Sequence, residues 1–284
     1  MFHSFRARVG EPVLLALDAA PLIHQFYYIN SDRDDVVERF LTRIDRLYEW
    51  LLERLDAPLL CFSCFDNGQP TFRHELYESY KADREKNLEI RAITLEIEKA
   101  LVNACHWNSL VAPDGYESDD VLASLAKQYD GKVILHTVDK DAFQLLEKGR
   151  VTIIRKSNVD AMIGRILPDF FSAESMQKQF GFGPDRFIDW QCLVGDSADG
   201  IRGASGIGPK TAQQLMRDHI RPIEEWDVER MQLTAARTVS ILSLQKRLPE
   251  VRKLLTLITD LELPDLDLHP SNIQTEEPNG AVRL

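Results

Sequence analysis

Short apolar runs that end in acidic residues are the feature that most constrains the fold of this chain. Four of them have β-strand character: LLALD, LLCFSCFD, SLVAPDGYESDD and VILHTVDKD. A fifth, VGDSAD, ends an amphipathic helical stretch and opens a glycine-rich turn. Helical stretches alternate with the strand-like runs, and this alternation predicts an α/β fold with a mostly parallel sheet covered by helices.

Nine carboxylates stand at the ends of these runs. They are Asp18, Asp66, Glu117, Asp119, Asp120, Asp139, Asp141, Asp196 and Asp199. The carboxyl ends of parallel strands meet at one edge of a sheet, where open α/β folds place their sites. So many acids in one crevice would repel each other unless divalent cations neutralised them, and hard oxygen ligands suit Mg²⁺ or Mn²⁺. The pattern favours a two-metal phosphoryl-transfer enzyme.

Each acidic cluster also has an ordinary explanation. Ser118 could cap a helix with acids in its first turn, and Asp139 could cap the helix that follows it. Asp18 and Asp66 could be turn formers after a strand. The joint occurrence of five clusters, rather than any one of them, favours the metal site.

Hydrophobic periodicity predicts the order of the elements. Strands are expected at 12–17, 59–65, 109–112, 133–138 and 151–155. Helices are expected at 34–55, 88–105, from about 119, and from 139 through 146. From about 168 the pattern is all-helical, with helices at 168–180, 184–194 and 208–219 and further segments to 259. We therefore expect an α/β domain over 1–167, a helical region over 168–260, and a disordered acidic tail over 261–284.

Composition and charge exclude some classes of protein. The hydrophobic fraction of 44% is ordinary for a globular protein, and no apolar run approaches the ~20 residues of a membrane span. Cys61 and Cys64 form a CxxC inside an apolar strand, so buried packing is expected rather than a disulfide or zinc site, and a cytoplasmic location follows. The net charge of −11 argues at first against nucleic acid. If the nine acids bind metal, the rest of the chain is near neutral and that objection weakens.

A glycine-rich turn is the second strong signal. Gly206-Ile207-Gly208 permits a tight turn with outward N–H groups, and Pro209 suits the first turn of a helix. Such a turn cradles phosphate without reading base sequence, and Lys210 adds charge. The alternative is an ordinary connection between two helices.

Aromatic and basic residues are interleaved between Phe72 and Arg84. This mixture suits stacking on an unpaired base and gripping phosphates, and a solvated surface helix explains it equally well. Basic residues also outnumber acids between 235 and 258, where they could follow a duplex backbone or cover a solvated helix.

Four long segments carry a family resemblance: FDNGQPTFRHELYESYKADR, GYESDDVLASLAKQY, TVDKDAFQLL and LVGDSADGIRGASGIGPKTA. They resemble the 5′-nuclease (flap endonuclease) superfamily, most closely the 5′→3′ exonuclease domain at the N-terminus of bacterial DNA polymerase I. The resemblance runs from about residue 12 to 260, and no polymerase-like sequence follows, so a stand-alone form is expected. It implies a PIN-like α/β core, a helical arch at about 67–92, and a helix–three-turn–helix (helix–hairpin–helix) DNA-binding element in the C-terminal region.

The resemblance also assigns residues. All nine acids correspond to metal-site positions for two Mg²⁺ ions, for which Mn²⁺ would substitute. Arg73, Lys81 and Arg84 correspond to residues that grip the scissile phosphate and the 5′ strand, and Tyr80 and Tyr116 to aromatics near the cleaved nucleotide. The duplex-binding turn, where the family also binds K⁺, corresponds to Arg202, Gly206, Ile207, Gly208, Lys210 and Thr211. Three positions depart from the family pattern: Ala19, Gln25 and Gly200.

The implied function is a structure-specific 5′ nuclease that hydrolyses phosphodiester bonds at DNA flaps, nicks or duplex–single-strand junctions. The implied partners are DNA, a DNA polymerase and a ligase, in replication and repair, and nothing demands more than a monomer. Two alternatives stay open. A PIN-type ribonuclease would use fewer acids, and a non-catalytic DNA-structure-binding protein would tolerate lost ligands.

Overall fold

The fold of this chain comprises two compact units. A computed structural model describes residues 11–29, 35–82, 84, 87–105, 107–159 and 165–263. Unit 1 is built from the described residues of 1–69, 86–172 and 258–284, and unit 2 from those of 70–85 and 173–257. The described residues of 70–85, which were expected in the α/β domain as part of the arch, fall in unit 2. The predicted tail lies outside the described residues from position 264 onward.

The strands form one large sheet and one short hairpin. In chain order they are β1 (Val13–Asp18), β2 (Leu59–Phe65), β3 (Asn108–Val111), β4 (Val133–His136), β5 (Val151–Val159), β6 (Ile166–Phe171), β7 (Gly195–Asp196) and β8 (Ile201–Arg202). The sheet of unit 1 has the order β3-β2-β1-β4-β5-β6. All of its pairs are parallel except β5 with β6, which confirms the predicted mostly parallel sheet.

The helices surround this sheet in unit 1 and make up most of unit 2. In chain order they are α1 (Ala19–Ile29), α2 (Val36–Leu55), α3 (Phe72–Leu76), α4 (Leu88–Asn103), α5 (Ser118–Gln128), α6 (Ala173–Phe180), α7 (Phe187–Val194), α8 (Pro209–Asp218) and α9 (Ala235–Leu255). None of the helices in the described ranges is long and apolar enough to cross a membrane.

The core of unit 1 follows from its sequence patterns. β1 and β2 are buried along their whole length because helices cover both faces of the parallel sheet. Cys61 and Cys64 are buried in β2, as predicted. In α2 the inner stripe repeats every three to four residues as expected, but it begins with Val36 and Phe40. The neighbouring apolar residues Val37 and Leu41 are only partly buried.

Three element predictions were wrong in detail. Residues 166–171 form the antiparallel edge strand β6 rather than the start of a helix at 168, and an edge strand tolerates the missing N–H of Pro168. The segment after Asp139 is a 3₁₀ helix, Lys140–Leu145, rather than an α-helix through 146. The described part of 67–92 contains the five-residue α3, turns and the first residues of α4, rather than a continuous helical arch.

Aromatic packing and the ion pairs of Arg252 stabilise unit 2. Phe180, Phe187 and Trp190 form a cluster with ring centroids 5.3–6.3 Å apart. Arg252 of α9 contacts Asp189 of α7 and Glu224, each at 2.6 Å. These contacts attach α9 to α7 and fix the helix that precedes the β7–β8 hairpin.

Candidate metal centre

Asp18 lies at the carboxyl end of β1 and is 1% exposed. Its Oδ2 accepts a 2.6 Å hydrogen bond from Thr137 Oγ1, and its Oδ1 has no hydrogen-bond partner in the described part of the chain. Burial raises the pKa of Asp18 to about 7; nearby Asp139 and Asp66 act in the same direction, while hydrogen bonds with Thr137 and Asp119 act against it. A buried carboxylate oxygen without a donor is the arrangement that a cation would relieve.

The loop after β4 brings two further acids to the same edge of the sheet. Asp139 N donates to Thr137 Oγ1 at 2.9 Å, and Asp141 N donates to Asp139 Oδ1 at 2.8 Å. Asp139 thereby caps the 3₁₀ helix, which is the ordinary role that the sequence allowed for it. Lys140 Nζ lies 3.7 Å from Asp141 Oδ1. Thr137 thus joins the β1 and β4 strand ends through one hydroxyl.

The end of β2 and the start of α5 supply the remaining acids of unit 1. Asp66 Oδ1 accepts a 2.8 Å hydrogen bond from Ser118 N, so Asp66 faces the first turn of α5. Glu117 is the N-cap of α5, and its side chain and that of Asp120 form a reciprocal capping box. The N-cap is therefore one residue before Ser118, the residue that the ordinary explanation had offered for this role.

Asp120 makes contacts that differ from those of Asp18. It is fully buried, and its two carboxylate oxygens accept from Glu117 N at 3.2 Å and from Ile258 N at 2.9 Å. These hydrogen bonds tie the start of α5 to the segment at Ile258. Asp120 therefore serves as a structural link in unit 1, which is the ordinary explanation for an acid in a first helical turn.

The acids of unit 1 suit a divalent cation in their chemistry. Seven of the nine predicted ligands belong to this unit and follow β1, β2, β4 or open α5: Asp18, Asp66, Glu117, Asp119, Asp120, Asp139 and Asp141. Hard carboxylate oxygens are the ligands that Mg²⁺ and Mn²⁺ prefer. Within the described ranges no three His, Cys, Asp or Glu side chains converge closely enough to hold an ion as they stand. The fit is carried by the unsatisfied Oδ1 of Asp18 and the carboxylates around it.

The last two predicted ligands belong to unit 2. Asp196 is 7% exposed, and its Oδ1 accepts from Ala198 N at 2.9 Å and from Asp199 N at 3.3 Å. Arg84 pairs with Asp199 Oδ1 at 2.5 Å, and Lys81 N donates to the Asp199 carbonyl at 3.1 Å. The acids after α7 and the cations after α3 are therefore neighbours within unit 2.

Close backbone approach explains the glycine that departs from the family pattern. Gly200 has φ +74°, and a Cβ built there would lie 2.3 Å from the Ser79 carbonyl oxygen. A side chain at this position would push the 79–84 segment away from the Asp199 turn. The residue after Asp199 is thus glycine because two backbone segments meet there.

Two expected DNA contacts are buried instead. Arg73 is 2% exposed, and its Nε and Nη2 donate to the carbonyls of Leu254 and Thr256 at 3.0 and 3.1 Å. Tyr80 is 3% exposed and packs edge-on against His74 at 5.1 Å. As placed, Arg73 completes the C-terminus of α9 and Tyr80 fills the core of unit 2. Their expected contact with DNA stays a prediction.

The other residues that were predicted to contact the 5′ strand of the DNA, Lys81, Arg84 and Tyr116, are partly accessible to solvent. Lys81 has φ +50°, a rare conformation for a residue with a side chain, and its Nζ lies 5.0 Å from the Tyr80 ring centre. Arg84 is 56% exposed in its side chain. Tyr116 is half-buried next to Glu117, with its N–H bonded to the Pro113 carbonyl.

The predicted phosphate turn lies between the β7–β8 hairpin and α8. Gly206 has φ +77°, Gly208 is the N-cap, Pro209 is the first helical residue, and the first turn carries no acid. Lys210 and Arg202 are exposed and Thr211 is half-buried, whereas the Ile207 side chain is buried and its N–H bonds to Ala204. The ten-residue α8 thus begins with glycine, proline and lysine at an open surface.

The sequence did not predict which residues support this turn. Arg247 Nη2 donates to the carbonyls of Arg202 and Gly203 at 2.7 and 2.9 Å, and Arg237 Nε donates to the Gly206 carbonyl at 3.2 Å. Thr137 was also missed, although a hydroxyl two residues before Asp139 is a usable signal. Without the fold, nothing in the sequence links α9 to residues 202–206.

A parallel sheet with carboxylates along one edge, followed by a helical region with a glycine turn, defines a protein of the 5′-nuclease type. Residues 13–181 match the family model described as 5′-3′ exonuclease, N-terminal resolvase-like domain. Residues 182–280 match 5′-3′ exonuclease, C-terminal SAM fold. The chain belongs to the 5′-3′ exonuclease family.

Individual relatives agree with this membership. DNA polymerase I of Deinococcus radiodurans is 38% identical over 158 residues, which is 55% of this chain and 15% of the polymerase. A 5′-3′ exonuclease of Mycoplasmopsis pulmonis is 28% identical over 211 residues, which is 72% of this chain and 66% of that protein. The chain thus matches less than two thirds of the length of either relative.

Solved structures share the fold. T5 5′-exonuclease with bound zinc superposes with a TM-score of 0.66 at 19% identity, covering 87% of this chain and 90% of that chain. The T5 D15 flap endonuclease in a complex with DNA and metal ions gives a TM-score of 0.59 at 20% identity, covering 86% and 90%. At this level of identity the likeness establishes the fold alone.

Proposed function

We propose that this protein is a divalent-metal-dependent 5′ nuclease that hydrolyses DNA at flaps, nicks or duplex–single-strand junctions. The observation that carries the proposal is the unsatisfied, buried Oδ1 of Asp18 at the carboxyl end of β1, with Asp66, Asp119 and Asp139 around it. A folded protein retains such an unfavourable group when a ligand compensates it. Membership of the 5′-3′ exonuclease family supplies the reaction.

The acids of unit 1 would hold the metal. Asp18, Asp66, Asp119 and Asp139 are the proposed donors, with Glu117 and Asp141 beside them, whereas Asp120 keeps its backbone contacts. Bound Mg²⁺ would supply an activated water and positive charge at the scissile phosphate. Thr137 holds Oδ2 of the Asp18 carboxylate through its hydroxyl, so Oδ1 is the oxygen that would bind the metal.

We assign further roles to residues of unit 2, and one role to Tyr116 of unit 1. Arg84 and Lys81 would bind phosphates of the 5′ strand, since both cations stand on the turn that contacts Asp199. Asp196 and Asp199 are proposed as further metal donors, and Tyr116 as a surface for an unpaired base. Arg73 and Tyr80 would act by fixing that turn and not by touching DNA.

The turn before α8 would bind the duplex. Its helix N-terminus, free of acids and followed by Lys210, suits a backbone phosphate, and K⁺ could share the site. Such phosphate contacts do not distinguish base sequence, and the affinity that they provide depends strongly on salt concentration. Specificity would then come from the shape of the junction.

The test is cleavage of 5′-labelled flap, nicked and blunt duplexes and of single-stranded RNA, with Mg²⁺ or EDTA. We expect Mg²⁺-dependent cleavage of the junction substrates, and a loss of at least ~100-fold in Asp18→Asn, which keeps the shape of the side chain and removes its charge. Asp130→Asn is the matched control, because Asp130 is an exposed acid before β4, at the opposite edge of the sheet.

Four results would contradict the proposal. Cleavage that persists in EDTA would exclude the metal, and full activity in Asp18→Asn would exclude the site. Cleavage of RNA alone would favour a PIN-type ribonuclease. Binding of DNA without cleavage would favour a non-catalytic DNA-structure-binding protein.

We further propose that the protein is a cytoplasmic monomer that prepares DNA ends for a DNA polymerase and a ligase. Light scattering would measure its oligomeric state, and coupled nick-repair assays would test the preparation of ends.

A further inference from the structure

A pocket of about 250 Å³ lies between α1, α2 and the sheet of unit 1. Its inner wall is apolar and aromatic, with Phe26 and Phe40 edge-to-face at 5.6 Å. His136 of β4 also lines it, and β-strand alternation directs that side chain away from the face that carries Thr137 and Asp18. The pocket is therefore separate from the acidic edge described above.

His136 is the unexplained group in this pocket. It is 2% exposed, and neither Nδ1 nor Nε2 has a hydrogen-bond partner in the described part of the chain. A neutral imidazole offers one N–H donor and one acceptor, and leaving each of them buried without a partner is unfavourable by ~1–3 kcal/mol. Burial, with a smaller contribution from Arg43, lowers the pKa of His136 to about 3, so the ring is neutral at physiological pH.

The rim of the pocket is cationic and amide-rich. Arg43 bonds to the Ser157 carbonyl and stands over the Phe26 ring at 5.3 Å, with no carboxylate partner among the described residues. Lys156 is exposed and also lacks an acidic partner within those ranges. Gln25 and Asn158 add amide groups to the lining. The pocket thus combines an aromatic wall, a buried imidazole that can donate and accept a hydrogen bond, and two cations at its mouth. These features favour an anionic ligand that contains a planar ring with polar atoms.

We propose that this pocket binds a nucleoside monophosphate, with the base against the phenylalanines and His136 and the phosphate at Arg43 and Lys156. The volume is just below the ~300–1,000 Å³ of ligand pockets in general, so a compact ligand fits with its phosphate at the rim. This ligand class would be a product of the proposed function, and in that sense the inference rests on it. Binding itself requires no catalysis.

The experiment is calorimetric titration of the whole protein in EDTA with deoxyadenosine monophosphate, deoxyadenosine and inorganic phosphate. EDTA prevents a metal at the acidic edge from recruiting the phosphate. We expect saturable binding of the monophosphate that is tighter than that of either part. Lys156→Gln should weaken monophosphate binding by about tenfold and leave the nucleoside unchanged, whereas His136→Leu should weaken both.

Controls separate this site from other phosphate sites. Lys99→Gln removes an exposed lysine of α4 outside the pocket, and Lys210→Gln removes the lysine at the start of α8; both should bind like the parent. Absence of saturable binding, equal affinity for phosphate alone, or loss of binding only in Lys210→Gln would overturn the proposal. Monophosphate binding in a protein that fails to cleave flaps would uphold the pocket while refuting the nuclease.

Discussion

Replacing His136 with leucine should remove a pH-dependent penalty from the stability of unit 1. The imidazole is fully buried and has no hydrogen-bond partner within the described ranges, and burial lowers its pKa to about 3 from 6.5. In the unfolded chain the ring takes up a proton as pH falls below about 6.5, while the folded protein does not until about pH 3. Acidification therefore favours unfolding through this group, across the window between those two values.

The size of the effect follows from the same numbers. A pH of 5 lies 1.5 units below the pKa of 6.5 that the ring has in the unfolded chain. Each unit corresponds to ~1.36 kcal/mol, so protonation of His136 in the unfolded chain lowers the free energy of unfolding by about 2 kcal/mol relative to pH 7. The variant lacks this term. Leucine should also gain ~1–3 kcal/mol at every pH by removing two unsatisfied buried atoms.

The comparison must be made as a difference between the variant and its parent. Asp18 acts in the opposite direction, because a pKa raised to about 7 makes the folded state take up a proton first and stabilises it as pH falls from about 7 to 3.8. Urea unfolding of both proteins in EDTA at pH 7 and pH 5 cancels that contribution. His24→Leu, which removes an exposed imidazole, is the control. A gap between parent and His136→Leu that stays constant from pH 7 to pH 5 would refute the reasoning.

Three other changes test single contacts. Arg73→Met should lower the free energy of unfolding of unit 2 by ~3 kcal/mol or more, since two charged-donor hydrogen bonds disappear; unchanged stability with lost cleavage would restore Arg73 as a DNA contact. Gly200→Ala should destabilise by at least ~2 kcal/mol in thermal or urea unfolding, from positive φ plus the 2.3 Å clash, whereas Gly149→Ala, at φ +71° in open space, should lose only about 1 kcal/mol. Lys210→Gln should reduce the salt dependence of duplex binding by about one unit of log–log slope in fluorescence anisotropy, and an unchanged slope would remove it from the interface.

Local pattern was sufficient for most of the sheet. β2 matches the predicted 59–65, and β1 and β3 are each displaced by one residue, because continuous apolar runs between polar turns have few other solutions. The strand β6 was missed because ILPDFF contains a proline and does not alternate. Its partner β5 supplies the reason for a strand there, and pairing between distant segments is not visible in a local window.

The acidic residues show the same limit more sharply. The sequence placed seven acids at strand or helix ends in one α/β unit, and the structure confirms those positions. The sequence alone could not distinguish Asp18 from Asp120. The Oδ1 of Asp18 lacks a hydrogen-bond donor among the described residues, whereas both oxygens of Asp120 accept hydrogen bonds from backbone N–H groups. Likewise the family resemblance assigned Arg73 to the phosphate contacts, and only the packing of α3 near the end of α9 shows that it is buried. Burial depends on partners far away in the chain.

The strand order has a consequence for how the acidic edge could evolve. From β1 the chain moves outward to β2 and β3, then returns past β1 to β4 and moves outward in the other direction. The connections after β1 and β4 therefore diverge to opposite faces, and a topological switch point opens between the strand ends that carry Asp18 and Thr137. That crevice is produced by connectivity and not by the acids that line it. Substitutions of these acids should therefore change the chemistry of the cleft while the cleft itself persists.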